Sequence, residues 1–523
     1  MIGSPGHTSS PAGSLAAAIV LIAAFAGSPA TAEVRSLRPS HILPASPELA
    51  RLGKRTYARQ CAACHGPEGR GDGNASYLLN PKPRDFVAAQ YRLVSTWERV
   101  PTDEDLFHTI SRGMPGSAMP SWAHLPEKTR WGLVHYVKSF SREPLVVEPT
   151  TPSPGEGEAG TGVISVPGEP PYTAEAQEHA AYIFKEGCAS CHGDEGRGDG
   201  VERQVNSEGY GTQPRDLTRG IYKGSSDPEA LYRLIVTGLP GTPMPMNDWA
   251  YGEDAWHLVH YVRSLSTARE SAPAASSELV AKRVDDLPPT PDDAGWAGID
   301  AGRVQLMPLW WRNERVEEVV VQAAHDGEHL ALKLSWQDTT RNDDVVLQHG
   351  FTDGAAVQFS DAPEPPLFAM GTDEITVNIW HWKAVWERDR TTGQAKLVDV
   401  FPMMPQSLNS AEPREAVYLT ARSVGNPVAQ AQRVSSVEDV NVRGFGSLTT
   451  QPTQSQNVRG AARWIDGRWE VVFVRALDSP QETDVPLVPG RRLSIALAIW
   501  DGAAEDRNGQ KSISIWQGLT LQD

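Results

Sequence analysis

The segment Cys61-Ala-Ala-Cys-His-Gly-Pro-Glu-Gly-Arg-Gly-Asp-Gly73 recurs later in the chain as Cys188-Ala-Ser-Cys-His-Gly-Asp-Glu-Gly-Arg-Gly-Asp-Gly200. Three further segments repeat behind it in the same order: Pro83-Arg-Asp85 as Pro214-Arg-Asp216, Gly113–Pro120 as Gly238–Pro245, and Trp131–Val137 as Trp256–Val262. Such self-similarity marks two copies of one module. In both copies the residues before the first cysteine and the closing tryptophan-containing segment are apolar at helical spacing, with glycine- and proline-rich loops between them. The sequence therefore predicts two small all-α modules.

Each module carries a Cys-x-x-Cys-His motif, which is typical of covalent attachment of a c-type haem. Two thiols at this spacing reach both vinyl groups of one porphyrin, and the following histidine lies beneath the iron. We therefore predict that the cysteines attach two haem c groups and that the histidines bind their irons, the residues being Cys61, Cys64 and His65, then Cys188, Cys191 and His192. Thioredoxin-like redox chemistry also uses Cys-x-x-Cys, but the histidines, the duplication and the export signal described below argue against it. All four cysteines of the chain are used in this way.

The second axial position of each iron needs a ligand from across the pocket, and a methionine thioether there raises the reduction potential. Each module offers two methionines, Met114 and Met119 in the first and Met244 and Met246 in the second. Only Met119 and Met244 align with each other in the repeat, so we predict that these two bind iron. The alternative is that the methionines fill apolar gaps.

Two arginines, Arg84 and Arg215, also occupy equivalent places in the repeat. A guanidinium suits the carboxylates of a haem, so these arginines are candidates for binding the propionates. A solvated loop arginine is the equally simple interpretation, and both stay open here.

The two modules resemble class I-type cytochrome c domains in tandem, over residues 46–141 and 172–265 with a linker over residues 142–171. The resemblance implies one-electron transfer without a substrate pocket in either module.

The N-terminal segment and the composition indicate the cellular compartment and restrict the classes of partner. The apolar run at residues 15–27, followed by Ala30-Thr-Ala32, predicts a signal peptide over residues 1–32 and export to the periplasm. Because no Lys or Arg precedes the run, an uncleaved anchor stays open as the alternative. No later segment approaches 18 apolar residues, so we expect no integral membrane span. A formal charge of −17 without a basic cluster argues against nucleic acid as a partner.

The remainder of the 523 residues changes character after a second predicted linker, residues 266–287. Short β-rich runs are separated by Gly, Asp and Asn turns, at residues 316–322, 330–336, 375–382, 469–474 and 493–499. This spacing predicts a β-sandwich over residues 288–523. The fold class is thus multidomain, with two all-α modules and a C-terminal sandwich.

The C-terminal domain contains the cluster Trp380-His-Trp-Lys-Ala-Val-Trp386, which by itself is typical of core packing. Together with Phe368-Ala-Met-Gly371 and Lys511-Ser-Ile-Ser-Ile-Trp-Gln-Gly-Leu519, it resembles the ethylbenzene-dehydrogenase-related haem-binding domain, the γ subunit of periplasmic molybdoenzymes. The resemblance implies one non-covalent haem b bound between a methionine and a lysine, which match Met370 and Lys511. Lys383 and His381 compete for this role, and from the residue types alone the imidazole of His381 is the first choice.

The resemblance implies an electron-transfer subunit rather than an enzyme. It would relay electrons between the iron–sulfur subunit of a molybdoenzyme, itself joined to the catalytic subunit, and a soluble cytochrome c or an oxidase. Two alternatives stay open: a dihaem enzyme such as a peroxidase, and a dihaem cytochrome with a haemless C-terminal binding module.

Overall fold

The computed structural model describes residues 37, 39–151, 160–202, 204–266, 278–312, 315–362, 365, 370–372, 375–394, 397–403 and 433–523. The predicted signal peptide, residues 1–32, lies outside these ranges, as do Phe368 and Ala369. Within the described ranges, no helix has both the length and the apolar character needed to cross a membrane.

The first module is a bundle of one short and three longer helices around the Cys-x-x-Cys-His motif. The helices are α1 Pro47–Gln60, α2 Ala62–His65, α3 Asp103–Arg112 and α4 Glu127–Lys138. Ser46 caps α1 by accepting a hydrogen bond from the Leu49 N–H, and Thr102 starts α3 with a capping box. The core of the module is aromatic and aliphatic, with Phe107 and Trp131 fully buried.

The second module repeats this order with α5 Ala174–Gly187, α6 Ala189–His192, α7 Pro228–Thr237 and α8 Glu253–Ser264. It adds a two-stranded antiparallel ribbon of β1 Gln204–Val205 and β2 Gly211–Thr212. The helices before the cysteines and the closing helices confirm the two predicted helical modules.

Part of the predicted linker over residues 142–171 is fixed between the modules. Ile164 is fully buried in the core of the second module, and its N–H donates to the Ser95 carbonyl of the first at 2.9 Å. The Trp256 indole N–H donates to the Pro167 carbonyl, also at 2.9 Å. Because this segment is rich in glycine and proline, the sequence predicted a linker. Its apolar residue Ile164 nevertheless packs in a hydrophobic core.

The third domain is built from fourteen strands and two short helices within the described residues. The strands are β3 Glu278–Arg283, β4 Ala301–Gln305, β5 Met307–Pro308, β6 Glu318–His325, β7 His329–Gln337, β8 Gly354–Ser360, β9 Val377–Lys383, β10 Val437–Val442, β11 Thr449–Thr450, β12 Arg459–Ile465, β13 Arg468–Ala476, β14 Arg492–Trp500, β15 Ser512–Ile513 and β16 Gln517–Leu521. The helices are α9 Ala384–Thr392 and α10 Leu397–Val400.

The strands form two halves that face each other. Their order is β11-β10-β9-β8-β14-β16-β3-β6-β7-β13-β12, and β3 joins the halves by pairing in parallel with β16 and with β6. Side chains of both halves meet in one core, where Trp382 of β9 lies 6.2 Å from Trp336 of β7 and 4.9 Å from Trp469 of β13, measured between ring centroids. This packing is that of the predicted β-sandwich.

The linker predicted over residues 266–287 is too long at its C-terminal end. Residues 278–283 form the strand β3, with Leu279 and Ala281 buried in the sandwich core. Alternation of buried and exposed residues marks a strand, but the surrounding Ala, Ser, Pro and Asp residues obscured it in the sequence. The third domain therefore begins by residue 278.

Candidate haem sites

The Cys-x-x-Cys-His residues of each module are brought together by one helical turn. The His65 N–H donates to the Cys61 carbonyl at 2.9 Å, and the His192 N–H donates to the Cys188 carbonyl at the same distance. Because four residues close a turn of helix, both thiols and the imidazole lie beside the same space. This local geometry follows directly from the motif.

Each histidine is oriented through one ring nitrogen. Nδ1 of His65 lies 3.0 Å from the carbonyl of Arg84, and Nδ1 of His192 lies 3.4 Å from the carbonyl of Arg215. A tautomer that donates from Nδ1 leaves Nε2 free to bind a metal. Burial lowers the pKa of His65 to about 4 and also lowers that of His192, so both imidazoles are neutral near pH 7, as a metal ligand must be.

The predicted axial methionines lie in two equivalent loops, Gly113–Pro120 and Gly238–Pro245, which we name the first and second methionine loops. A backbone hydrogen bond closes each loop at the predicted ligand. The Met114 N–H donates to the Met119 carbonyl at 3.0 Å, and the Leu239 N–H donates to the Met244 carbonyl at 3.2 Å. Gly238 has a φ of +64°, and a methyl group added there would lie 1.9 Å from the Pro245 oxygen. Only glycine fits this position.

A cavity of about 680 Å³ in the second module is lined by all of its predicted haem residues. Cys188, Cys191, His192 and Met244 share its wall with apolar side chains such as Phe184, Tyr222, Leu231 and Leu258. The other candidate, Met246, packs against the hydrophobic core of this module. The size and apolar lining are those of a cofactor site.

The chemistry of these donors fits a covalently attached haem. Burial raises the pKa of the Cys188 thiol to about 11 and those of Cys61 and Cys64 to about 12. Such thiols stay protonated near pH 7, which is unlike the low-pKa thiols of disulfide oxidoreductases. Two thiols, a neutral imidazole and a thioether around one apolar cavity fit haem c.

A second cavity, of about 630 Å³, lies on the outer face of the strands β8, β9 and β14. Trp380 and Trp382 of β9 point into the sandwich core, while their neighbours Ile379, His381 and Lys383 line the cavity. Met370 and Lys511 also line it, together with Val440, Ala496, Ala498 and Trp500. All four candidate haem b ligands thus surround one space.

The contacts of the candidates differ. Lys383 forms an ion pair with Glu438, so its amine is already engaged. Lys511 makes no ion pair among the described residues, and its Nζ lies 4.7 Å from the centre of the Trp500 ring. Burial lowers the pKa of Lys511 to about 8, which brings the neutral, metal-binding amine within reach of physiological pH.

His381 lies in the same cavity, with its ring stacked 4.7 Å from the Trp500 ring. Burial, with the charges of Lys383 and Lys511, lowers the pKa of His381 well below its ordinary value. Lys511 and His381 are therefore the two candidates that line the cavity with Met370 and make no ion pair among the described residues.

The wall of this second cavity includes residues of the first module that sequence reasoning missed. Ala75, Tyr77, Leu78 and Leu79 line it, and they follow the glycine-rich segment that ends at Gly73. Asn80 then pairs with the third domain: its N–H donates to the Leu309 carbonyl at 2.9 Å, and the Leu309 N–H donates to the Lys511 carbonyl, also at 2.9 Å. No sequence signal marks these residues, because the contact depends on docking of separate domains.

Three family matches follow the three structural units. Residues 48–137 match the family described as cytochrome c oxidase, cbb3-type, subunit III, and residues 177–266 match the cytochrome c family. Residues 293–512 match the ethylbenzene dehydrogenase family.

Curated relatives match part of the chain at 25–28% identity. The dimethylsulfide dehydrogenase subunit gamma of Rhodovulum sulfidophilum is 28% identical over 44% of this chain and 73% of its own length. The chlorate reductase subunit gamma of Ideonella dechloratans is 27% identical over 38% and 64%. A Haloferax mediterranei protein, provisionally named a respiratory nitrate reductase haem subunit, is 25% identical over 48% and 74%. The chain therefore consists of two cytochrome c domains followed by a domain of the ethylbenzene dehydrogenase family.

Proposed function

We propose that this chain is a periplasmic electron-transfer subunit with three haems, the γ subunit of a molybdoenzyme complex. Its third domain exchanges electrons with an iron–sulfur subunit bound to the catalytic subunit, and its cytochrome c modules exchange them with a soluble cytochrome c or an oxidase. The observation that carries the proposal is the wall shared by the third-domain cavity and the first module.

That wall is apolar. Cys64 belongs to one hydrophobic cluster with Leu79, Leu309 and Ile513, and these three side chains also line the third-domain cavity. Cys64 is itself a predicted attachment point of the first haem c. One apolar cluster thus connects the attachment point of the first haem c with the wall of the third-domain cavity, which suits transfer of electrons without exchange of atoms.

Haem supplies one-electron chemistry when it is bound, and the residues of the chain hold and tune it. Cys61 and Cys64, with Cys188 and Cys191, are the proposed covalent attachments. The proposed iron ligands are His65 with Met119, His192 with Met244, and Met370 with Lys511. Thioether ligands in both c-type sites favour a high potential, which suits electron acceptance from a lower-potential partner.

Lys511 is preferred to His381 because the family resemblance places the ligand there. It is preferred to Lys383 because that amine already pairs with Glu438, whereas the amine of Lys511 makes no ion pair among the described residues. The apolar cavity also favours its neutral form. His381 then acts as a wall residue that stacks on Trp500 beside the amine.

A haem count on the mature protein tests the proposal. A pyridine haemochrome assay before and after acid–acetone extraction separates covalent from extractable haem, and we expect two covalent haems and one extractable haem per chain. Two covalent haems and none extractable, after expression with adequate haem, would overturn the γ-subunit assignment.

Matched variants test the ligand. Lys511→Gln should lose the extractable haem and keep both covalent ones, whereas Lys282→Gln, on the exposed side of β3, should keep all three. Loss of the extractable haem in His381→Gln, with retention in Lys511→Gln, would transfer the assignment to the histidine.

A further inference from the structure

The cavity of the second cytochrome c module is lined by cations from two domains. Arg215 and Lys223 belong to the second module, but Arg92 comes from the first. Arg92 is only 7% exposed, and its Nε has no hydrogen-bond partner among the described residues. Nη1 of Arg215 is buried and unpaired in the same way. Buried cations without partners are costly, so each calls for an anion.

Glu208 attracts Arg92 and Glu317 attracts Arg215, but neither carboxylate forms an ion pair with these two arginines within the described residues. Glu208 lies 3.8 Å from Arg84, the arginine that precedes Arg92 in the first module. Asp199 and Glu202 line the cavity wall, yet within the described part of the chain neither forms an ion pair with these cations. Burial, with the charges of Arg215, Arg92 and Arg84, lowers the pKa of Lys223 well below its ordinary value, which shows how closely the cations are grouped.

The cations are held by contacts that cross between the modules. Arg215 donates from Nη2 to the Pro115 carbonyl in the first methionine loop, and its guanidinium lies 4.3 Å from the ring centre of Trp311 in the third domain. In the opposite direction, a methyl group added at Gly241 in the second methionine loop would lie 3.3 Å from Nη1 of Arg84. Each module therefore places an arginine side chain beside the methionine loop of the other module.

We propose that Arg92 of the first module joins Arg215 and Lys223 to form one composite site for the carboxylates of the second haem c. The inference rests on the proposed function only in requiring that a haem is attached at Cys188 and Cys191. A haem carries two carboxylates on one edge, and guanidinium groups bind carboxylates with charge-assisted hydrogen bonds. The second haem then has its potential set partly by a residue of the neighbouring module.

The consequence is a direction for the redox effect of Arg92. A nearby cation stabilises the reduced iron, which carries one positive charge less than the oxidised iron. Removal of the cation therefore lowers the midpoint potential of the second haem and leaves its covalent attachment intact.

Redox titration of the holoprotein tests this with three variants. Arg92→Gln should lower the midpoint potential of the second haem c by at least about 59 mV. At a fixed solution potential this corresponds to a tenfold lower ratio of reduced to oxidised haem for a one-electron couple. Arg92→Lys, which keeps the charge, should restore most of the potential. Arg197→Gln removes an exposed arginine of the second module and is the matched control, with no shift expected.

The two c haems are told apart in a Met119→His background, because imidazole in place of a thioether lowers the potential of the first haem. An equal potential of the second haem in Arg92→Gln and in Arg197→Gln, or a shift confined to the first haem, would overturn the composite site. Lys223→Gln removes a cation of the second module and should shift the same haem in the same direction, because a bound carboxylate keeps this amine charged. Arg92→Met removes the charge of the arginine from the first module and keeps the length of its side chain, so it decides the matter if Arg92→Gln does not fold. Absence of covalent haem in the unaltered chain would instead refute the proposed function.

Discussion

Three aspartates meet at one end of the sandwich, beside the third-domain cavity. Asp338 follows β7, Asp353 precedes β8 and Asp501 follows β14, and their carboxylate oxygens all lie within 4.8 Å of one another. Burial first, and then the neighbouring carboxylate, raises the pKa of Asp353 to about 7, and burial raises that of Asp338 to about 6. The neighbours of Asp353 along the chain, Thr352 and Gly354, line the cavity.

The raised pKa values determine the sign of the pH dependence. A carboxyl that binds its proton more tightly in the folded chain stabilises the fold fully below its unfolded value, near 3.8. This stabilisation is lost as the pH rises through the folded values, about 6 and 7. The sandwich should therefore be less stable at pH 8 than at pH 5.

Replacement of Asp338 by asparagine removes one of the repelling charges. Two unit charges about 5 Å apart repel by about 3 kcal/mol at an effective dielectric constant of about 20. The oxygen Oδ1 of Asp338 accepts hydrogen bonds from Thr340, a role that an amide oxygen keeps, while Oδ2 has no partner among the described residues. We expect Asp338→Asn to stabilise the sandwich by about 1 to 3 kcal/mol at pH 8 and to have little effect at pH 5.

Hydrogen exchange read by mass spectrometry measures this locally. Peptides covering β7 and β8 report the opening free energy of the sandwich, and a chelator in the buffer keeps divalent cations from neutralising the cluster. Unaltered or lower protection of these strands in Asp338→Asn at pH 8 would refute the reasoning.

Two further substitutions test the cytochrome c modules. Gly238→Ala should displace the second methionine loop, because its methyl group would lie 1.9 Å from the Pro245 oxygen, and redox titration should show a lower potential for the second haem. Gly168→Ala, where an added methyl group meets no atom within 4 Å, is the control and should leave both potentials unchanged. Tyr57→Phe removes a buried 2.8 Å hydrogen bond to the Gly66 carbonyl and should cost about 1 kcal/mol of stability, seen by calorimetry as a lower unfolding temperature of the first module.

The fold class was accessible from the sequence because its signals are local. Helical spacing around the cysteines and β-rich runs with turn residues predict two helical modules and a sandwich, and both are present. The misjudged boundaries are those where composition masked periodicity: Ile164 packs in the second module, and the strand β3 begins at Glu278 within the predicted linker. Glycine, proline and acidic residues signal loops on average, but a few alternating apolar side chains are enough to bury a segment.

The candidate sites also differ in how far local sequence signals predicted them. The turn at each Cys-x-x-Cys-His motif is formed by five consecutive residues, so Cys188 and His192 could be predicted as site residues from the motif. The internal repeat predicted Met244, and all three residues line one cavity. The third-domain cavity, the proposed haem b site, could not be predicted from a local motif, because Met370 and Lys511 lie 141 positions apart in the chain and share a wall only after β8, β9 and β14 have paired.

The sequence by itself determined which cofactor chemistry the cytochrome c modules can hold, since the donors are neighbours along the chain and one helical turn groups them. Only the tertiary structure decided how the modules meet. It placed Leu79 of the first module against the third-domain cavity and Arg92 in the cavity of the second module. Contacts between domains depend on surface complementarity over residues far apart in sequence, and no local pattern encodes them.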